Sequence, residues 1–170
     1  MDKIKKITLI IFAILVSGAT LEVPKKQTPL TEKNLAKILF DSHVKVLGKK
    51  PSAKRLAVAW SQVAIENGRG LLTYNYNLGN IGSKGIAPYY MVNGHKFLSL
   101  KDFNEGGQRY WKTIKNRCHS SLKIFDAGNP KAAARQLHRC KYFTADPIKY
   151  GQAMASLMRY YNKNIIETTK

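Results

Sequence analysis

Hydrophobic residues recur at helical spacing along most of the chain after residue 30. Two helices are predicted first, one capped by Thr31 and ended by Gly48, and one opened by Pro51-Ser52 and terminated by Gly68 and Gly70. On the second helix, the residues at three- and four-residue spacings share one face: Leu56, Ala59, Trp60, Val63 and Glu66. This periodicity is typical of an amphipathic helix, with one carboxylate on its apolar face.

The pattern changes after residue 69, where the helical period is lost. Two short runs over 89–92 and 95–98 flank Asn93 and Gly94. An Asn-Gly pair between such runs is a strong signal for a two-residue hairpin turn. The sequence therefore predicts one small β-hairpin after the second helix.

Helical periodicity then returns for the rest of the chain. Ser99 is expected to cap a third helix, with Asp102 as the acidic member of a capping box. A short helix is predicted near 120–126, another begins at Pro130, and Asp146 opens the last one. We predict an all-α core of about six helices with one small hairpin.

The first 19 residues have the layout of a secretory signal peptide. A lysine-rich start precedes an apolar stretch over 7–16, and small residues ending at Ala19 offer a cleavage site. The stretch is shorter than the roughly 20 residues of a transmembrane helix, and an uncleaved membrane anchor is the alternative. We predict an exported protein, periplasmic or secreted, that is not an integral membrane protein after cleavage. A lead-in over 20–30 and a single domain over 31–170 would remain.

The chain is strongly basic, with 29 Lys and Arg against 10 Asp and Glu. Removing the signal peptide, which holds three lysines and one aspartate, would lower the formal net charge from +19 to +17. Such a charge favours an anionic partner: nucleic acid, a membrane surface or an acidic cell-wall polymer. Export makes nucleic acid the weakest of these, and no groove-entering motif is present, so we expect no nucleic-acid partner. A solvated basic surface that only prevents aggregation is the alternative.

The cysteines and histidines of the sequence indicate a disulfide rather than a metal site. Cys118 and Cys140 are the two cysteines of an exported chain, so we predict that they pair. Closing that loop would stabilise the fold by roughly 3 kcal/mol. The histidines show no metal-ligand spacing: His43, His95, His119 and His138. We expect no metal and no other cofactor.

Glu66 is placed where a carboxyl group tends to keep its proton. It lies on an apolar face and in the last turn of its helix, where the helix dipole disfavours an anion by roughly 0.3–1 kcal/mol. Both effects raise the pKa of a carboxyl group. An acid held neutral near physiological pH can protonate a leaving glycosidic oxygen. A helix-end glutamate paired with Arg69 or a lysine is the alternative.

Three segments of the sequence resemble the glucosaminidase branch of bacterial peptidoglycan hydrolases, in the lysozyme-like superfamily. The first reads AWSQVAIENGRG and then YNYNLGNIG, similar to a helix end of the type Glu-[Ser/Thr]-Gly-x-Gly with an Asn-rich loop. The others read HKFLSLKDFNEGGQRYW and AGNPKAAARQLHRCKYFTADPIKYGQAM, and together they span about 53–160. The resemblance implies a mainly α, lysozyme-like catalytic domain over 31–170, with the hairpin beside the active-site cleft.

The resemblance also assigns the two catalytic roles. Glu66 would be the general acid for cleavage of β-1,4 bonds in peptidoglycan glycan strands, and Tyr142 would face it across the cleft. The sequence departs from the family where Asn67 replaces Ser or Thr and where Gly79-Asn80 replaces Phe-Gly. The closing loop is one residue longer than in the family pattern, and this affects whether Tyr142 aligns with the family's active-site tyrosine.

The loop and hairpin supply the predicted sugar-binding residues. The resemblance implies that the loop flooring the sugar cleft contains Asn77, Leu78 and Ile81. Aromatic faces and amide groups also suit sugar rings, which adds Tyr74, Asn80, Tyr89 and Tyr90 as candidates. Tyr76 belongs to the same aromatic cluster, and half of these tyrosines could instead be core or turn residues. Arg69, Lys84 and Lys96 are expected to add positive charge to the cleft.

The sequence offers one well-placed catalytic carboxyl group, although hydrolysis normally uses two. Asp102 is better explained as a helix cap, and Glu105 as part of a solvated helix face. One acid suffices for a lytic transglycosylase, in which the sugar's 6-hydroxyl attacks, or for hydrolysis assisted by an N-acetyl group. A lytic transglycosylase, a muramidase and a non-catalytic cationic wall-binding protein are therefore the alternatives. We expect a monomer.

Overall fold

The computed structural model describes residues 22–83 and 88–166. The predicted signal peptide and Lys84 lie outside the described residues. The helices are α1 (Glu32–Leu47), α2 (Ala53–Asn67), α3 (Phe103–Arg117), α4 (Ser121–Ala127), α5 (Pro130–Arg139) and α6 (Pro147–Asn164). An antiparallel hairpin, β1 (Tyr89–Val92) and β2 (His95–Leu98), lies between α2 and α3. The predicted mainly α architecture is confirmed.

The capping residues that the sequence indicates set the ends of the first two helices. Thr31 and Ser52 each accept a hydrogen bond from a backbone amide three residues further on. Gly48 and Gly68 end the helices in the left-handed conformation, with φ of 72° and 57°, which glycine adopts at little cost. These ends place Glu66 in the last turn of α2.

The start of α3 differs from the prediction. Ser99 does not cap this helix, because its hydroxyl accepts a hydrogen bond from Asn75 and its amide donates to the Pro88 carbonyl. Asp102 is the N-cap, and its carboxylate accepts from the Glu105 amide at 2.7 Å. The hydrogen bonds to the hairpin edge hold Ser99 outside the helix, and Asp102 is the next side chain that can cap it.

The central helix of the fold is α2. Its residues from Ala57 to Ala64 are buried, and they pack against α1, α4 and α6. Trp60 contacts the rings of Tyr160 and Tyr161, which α6 supplies. A helix packed on several sides cannot shift without losing close contacts. The end of α2 is therefore a rigid platform for the residues that follow.

A disulfide joins the ends of α3 and α5. Cys118 and Cys140 lie with their Cα atoms 5.6 Å apart, which confirms the predicted pairing. Arg117, just before the first cysteine, donates from Nε to the Cys140 carbonyl at 2.9 Å and from Nη2 to the Lys141 carbonyl. The segment that leads to Tyr142 is thus tied to α3 twice.

The lead-in is built into the domain. The Lys26 amide donates to Asn75 Oδ1 at 2.6 Å, and the Thr28 amide donates to the Thr73 carbonyl at 2.8 Å. Residues 22–30 therefore line the loop that follows α2. Within 22–83 and 88–166, no helix is both long and apolar enough to cross a membrane.

Candidate active site

The carboxyl group of Glu66 is half-buried at the end of α2, and neutral groups surround it. Tyr150 donates its hydroxyl hydrogen to Oε1 at 2.5 Å, and Asn80 Nδ2 lies 3.5 Å from Oε2. Gln62, one helical turn earlier, also bonds to the carboxyl group. Burial raises the pKa of Glu66, and the three hydrogen bonds lower it by a smaller amount. The net effect is a raised pKa, as the position on the helix predicts.

Tyr150 is held in place from two sides. Its ring stacks on Phe143, with centroids 3.8 Å apart and planes 11° apart. Gln62 Nε2, fully buried, lies 3.3 Å from the tyrosine oxygen and donates to it. The chain of donors therefore runs from Gln62 through Tyr150 to Glu66, and burial together with Glu66 raises the pKa of the tyrosine far above its usual range.

No cation neutralises Glu66 among the residues that the structure describes. Arg69, the expected partner in the alternative interpretation, instead pairs with Glu32 through Nε and Oε1 at 3.1 Å. Its guanidinium group also lies over the ring of Tyr160, 4.8 Å from the centroid. The expectation that Arg69 adds charge to the cleft is wrong, since the side chain faces α1 and α6.

The loop after α2 carries Asn80 to the acid. Asn80 has a φ of 47°, a left-handed conformation that asparagine adopts more readily than most residues. Its Nδ2 donates to the Glu66 carbonyl at 2.6 Å, in addition to the contact with the carboxyl group. Asn67, which departs from the family pattern, is fully buried and donates to the Leu78 carbonyl at 3.3 Å. Both amides fasten the loop to the end of α2.

Two depressions adjoin at Asn80, and together they form the candidate cleft. The first, of 210 Å³, contains Glu66 and is called the acid pocket here. It is lined mainly by apolar and aromatic side chains: Leu72, Tyr74, Tyr90, Val92 and Phe97, with Lys25 at its edge. The second, of 350 Å³, is called the basic pocket and contains Ile81, Tyr142 and part of α3.

Tyr142 lies in the basic pocket, beside the loop. Its hydroxyl donates to the Gly79 carbonyl at 3.1 Å, and its ring packs edge-on against Tyr110. A Cβ atom at position 79 would overlap the Tyr142 oxygen, so this approach requires glycine. Burial and the nearby Glu66 raise the pKa of Tyr142. Its predicted catalytic role stays a prediction, while Tyr150 is the tyrosine that contacts the acid.

The aromatic candidates divide between the two faces of the hairpin, because successive side chains of a strand point to opposite sides. Tyr90 faces the acid pocket, where burial raises its pKa to about 12. Tyr89 points to the other face, where Lys96 Nζ lies 4.7 Å from its ring centroid. Neither Tyr89 nor Lys96 lines the acid or the basic pocket, so their expected placement in the cleft stays a prediction. Tyr76 packs edge-on against Phe103 and is also outside the cleft.

Asn77 supports the loop from within. It is fully buried, accepts from the Ile81 amide at 2.9 Å and donates to the carbonyls of Ile81 and Leu98. These bonds exclude the expected direct contact with sugar. The remaining candidates line the cleft: Tyr74, Asn80, Ile81 and Tyr90.

The other acids near α3 accept hydrogen bonds from backbone amides at the N-terminus of that helix. Asp102 caps the helix, and Glu105 Oε2 accepts from the Lys101 amide at 2.9 Å. Both carboxylates lie in another depression, which shares Arg109 and Lys112 with the basic pocket and does not contain Glu66. Among the described residues that line the acid and basic pockets, Glu66 is the one acid. No cluster within 22–83 and 88–166 has the side chains to hold a metal ion.

Sequence reasoning missed Gln62 and Tyr150 as partners of Glu66. Gln62 precedes the acid by four residues, so helical spacing alone could have placed the two side chains together. Tyr150 is separated from Glu66 by 84 residues, and the period of α6 indicated only an apolar core face.

The mainly α fold is shared with solved peptidoglycan hydrolase and glycoside hydrolase domains, as the sequence predicts. The structure is similar to the crystal structure of a peptidoglycan hydrolase from Sphingomonas sp. A1, with 19% identity, a TM-score of 0.55, and coverage of 74% of this chain and 86% of that one. It is also similar to a C-terminally truncated glycoside hydrolase domain from Salmonella typhimurium FlgJ, with 16% identity, a TM-score of 0.51, and coverage of 77% and 97%. No family model and no curated protein matches the sequence.

Proposed function

We propose that this protein is an exported enzyme that cleaves β-1,4 glycosidic bonds in peptidoglycan glycan strands, with Glu66 as the general acid. The observation that carries the proposal is the environment of Glu66, a half-buried carboxyl group with a raised pKa whose hydrogen-bond partners among the described residues are all neutral. The shared fold with a peptidoglycan hydrolase supports the substrate class. The disulfide and the signal-peptide pattern support a periplasmic or secreted location.

The hydrogen bonds indicate which oxygen of Glu66 carries the proton. Oε1 accepts the short bond from Tyr150 at 2.5 Å, whereas Oε2 has the long contact with Asn80 at 3.5 Å, so the proton of the neutral acid belongs on Oε2. This proton passes to the bridging oxygen as the bond between that oxygen and the sugar carbon breaks. Glu66 is left ionised, and the same hydrogen bonds then stabilise the carboxylate. The carboxylate can afterwards accept a proton from the attacking group.

The described residues of the cleft include a single acid, and this limits which group can attack the sugar. An inverting or covalent mechanism would need a second carboxyl group. The candidates are therefore the sugar's own 6-hydroxyl, which gives an anhydro product, and the N-acetyl oxygen, which leads to hydrolysis. Mass spectrometry of the released fragments distinguishes these products. It also identifies which of the two alternating bonds is cut, and this decides between a glucosaminidase and a muramidase.

Tyr142 is suited to the charge that develops on the sugar. Its hydroxyl hydrogen is committed to the Gly79 carbonyl. Its oxygen also accepts a hydrogen bond from Gln62, and its remaining lone pair can face a sugar that gains positive character as the bond breaks. Such preorganised contacts are among the largest contributions to catalysis.

The test replaces the acid with its neutral isostere. Glu66→Gln removes the transferable proton and keeps the shape, so we expect loss of lysis by at least a thousandfold. Turbidity of purified sacculi measures lysis, and the melting temperature measures folding. Glu22→Gln makes the same chemical change at an exposed position and should leave lysis unchanged.

Two outcomes would contradict the proposal. A folded Glu66→Gln protein that still lyses sacculi would remove Glu66 from the role of acid. A wild-type protein that binds sacculi and releases no fragment would instead be the non-catalytic wall-binding protein.

A further inference from the structure

The two halves of the cleft differ in charge as well as in shape. The acid pocket is lined mainly by apolar and aromatic groups, and Lys25, which lies over the ring of Tyr74, is the one cation among its described lining residues. The basic pocket is lined on one side by α3, at positions with helical spacing: Arg109, Lys112, Thr113, Asn116 and Arg117. A glycan that extends past Asn80 would therefore leave an aromatic surface and enter a cationic one.

Two of these cations are available to a ligand. Arg117 is not, because its guanidinium group donates to the carbonyls of Cys140 and Lys141. Arg109 and Lys112 enter no ion pair with another described residue. Arg109 and Lys112 also line another depression, which contains Asp102 and Glu105. These two carboxylates already accept hydrogen bonds from backbone amides.

We propose that Arg109 and Lys112 bind a carboxylate carried by the substrate on the Tyr142 side of the cleft, and so select anionic glycan over neutral glycan. This inference rests on the proposed function. A guanidinium group can bind a carboxylate through two parallel hydrogen bonds, and an ammonium group one turn away adds a second charge. The carboxylate comes from the lactyl ether or from a stem peptide of the strand.

The experiment compares affinities for strands that differ in their carboxylates. Three soluble ligands are used: strands with stem peptides, strands stripped of peptides that keep the lactyl carboxylate, and neutral chitin oligosaccharides. Binding is measured with the inactive Glu66→Gln protein, so the ligands stay intact. The double variant Arg109→Gln/Lys112→Gln is made in this background.

A matched control separates local binding from overall charge. Lys123→Gln/Arg135→Gln removes the same two charge types from exposed positions on α4 and α5 that line neither pocket. We expect the ratio of affinities for anionic and neutral strands to fall about tenfold in the pocket variant and less than twofold in the control. The ratio of the unaltered protein should also fall as salt rises, because the pocket is open to solvent.

Each outcome has a defined meaning. Loss confined to peptide-bearing strands assigns the contact to a peptide carboxylate, and loss on stripped strands as well assigns it to the lactyl group. Equal losses in the pocket variant and the control, or equal weakening of neutral strands, would overturn the inference. Failure of the proposed function would appear separately, as absence of cleavage by the wild-type protein while these affinities stay measurable.

Discussion

The two ends of α2 both carry polar networks, but only one of them is electrically balanced. At the N-terminal end, Arg55 is 6% exposed and pairs with Asp126, and its Nη1 lies 3.0 Å from His43 Nε2. At the C-terminal end, Glu66 is bonded to Tyr150, Asn80 and Gln62, which are all neutral. A buried charge with a partner is stable as an ion, whereas a buried carboxyl group with neutral partners holds its proton.

His43 shows how the balanced end is arranged. Burial lowers the pKa of its imidazole, so the ring is neutral. Nδ1 then donates to the Lys49 carbonyl at 2.8 Å, and Nε2 accepts from Arg55. All these interactions join α1, α2 and α4, and none of the residues lines the acid or basic pocket. We therefore assign this end to stability and the other to chemistry.

The largest expected effect on the fold comes from breaking the balanced end. Arg55→Met removes the partner of Asp126 and the donor to His43, so we expect the free energy of unfolding to fall by about 2–3 kcal/mol, less than for a fully buried pair because Asp126 is half exposed. Lysis should persist at temperatures where the variant is folded. Urea unfolding and the sacculus assay measure the two quantities.

Glu66→Gln should do the opposite, with activity lost and stability kept. Because the folded-state pKa of Glu66 lies above its ordinary value of 4.5, the protonated acid stabilises the fold below that value, and this contribution is lost as pH rises through the folded pKa. The stability gap between the Gln variant and wild type should therefore widen with rising pH. A stability difference that does not change with pH would contradict the distinction between the two ends of α2, and so would an Arg55→Met protein as stable as wild type.

An intermediate effect is expected when the donor to Glu66 is removed. Tyr150→Phe keeps the stack on Phe143 and loses the hydroxyl group, so we expect lysis to fall about ten- to a hundredfold. This hydrogen bond lowers the pKa of Glu66, so its loss raises that pKa. The alkaline limb of the pH–rate profile, where the acid loses its proton, should then move to higher pH.

Tyr142→Phe provides the comparison for that experiment. Loss of its hydroxyl should lower turnover about a hundredfold. Because this hydroxyl bonds to Gly79 rather than to Glu66, the alkaline limb of the pH–rate profile should stay at the same pH. If Tyr150→Phe left the limb in place, its hydroxyl would only support packing.

The smallest effects are expected at the acids of α3. Asp102→Asn keeps a good capping residue, and Glu105→Gln keeps an acceptor for the Lys101 amide. Both variants should retain lysis within a few-fold and melt close to wild type. A folded but inactive Asp102→Asn or Glu105→Gln protein would show that the enzyme uses a second carboxylate.

Local signals predicted much of this molecule. The caps at Thr31 and Ser52, and the glycine that ends α2, depend on residues within one helical turn, and the structure confirms them. The Asn93-Gly94 turn is equally local. The prediction that Ser99 caps α3 is wrong because its hydroxyl and amide are bonded to Asn75 and Pro88, partners that no local pattern indicates.

Within the cleft, the sequence by itself determined that Glu66 ends a buried helix, and that an asparagine-rich loop must follow it. Tertiary structure decided which side chains reach the acid. Tyr150 and Tyr142 both stand in the closing segment, yet the packing of α6 on α2 brings only Tyr150 to Glu66. Arg69 is three residues from the acid, and it nevertheless pairs with Glu32. The physical reason is that long side chains bind where burial and charge are best satisfied in space, and that choice depends on elements far apart in the chain.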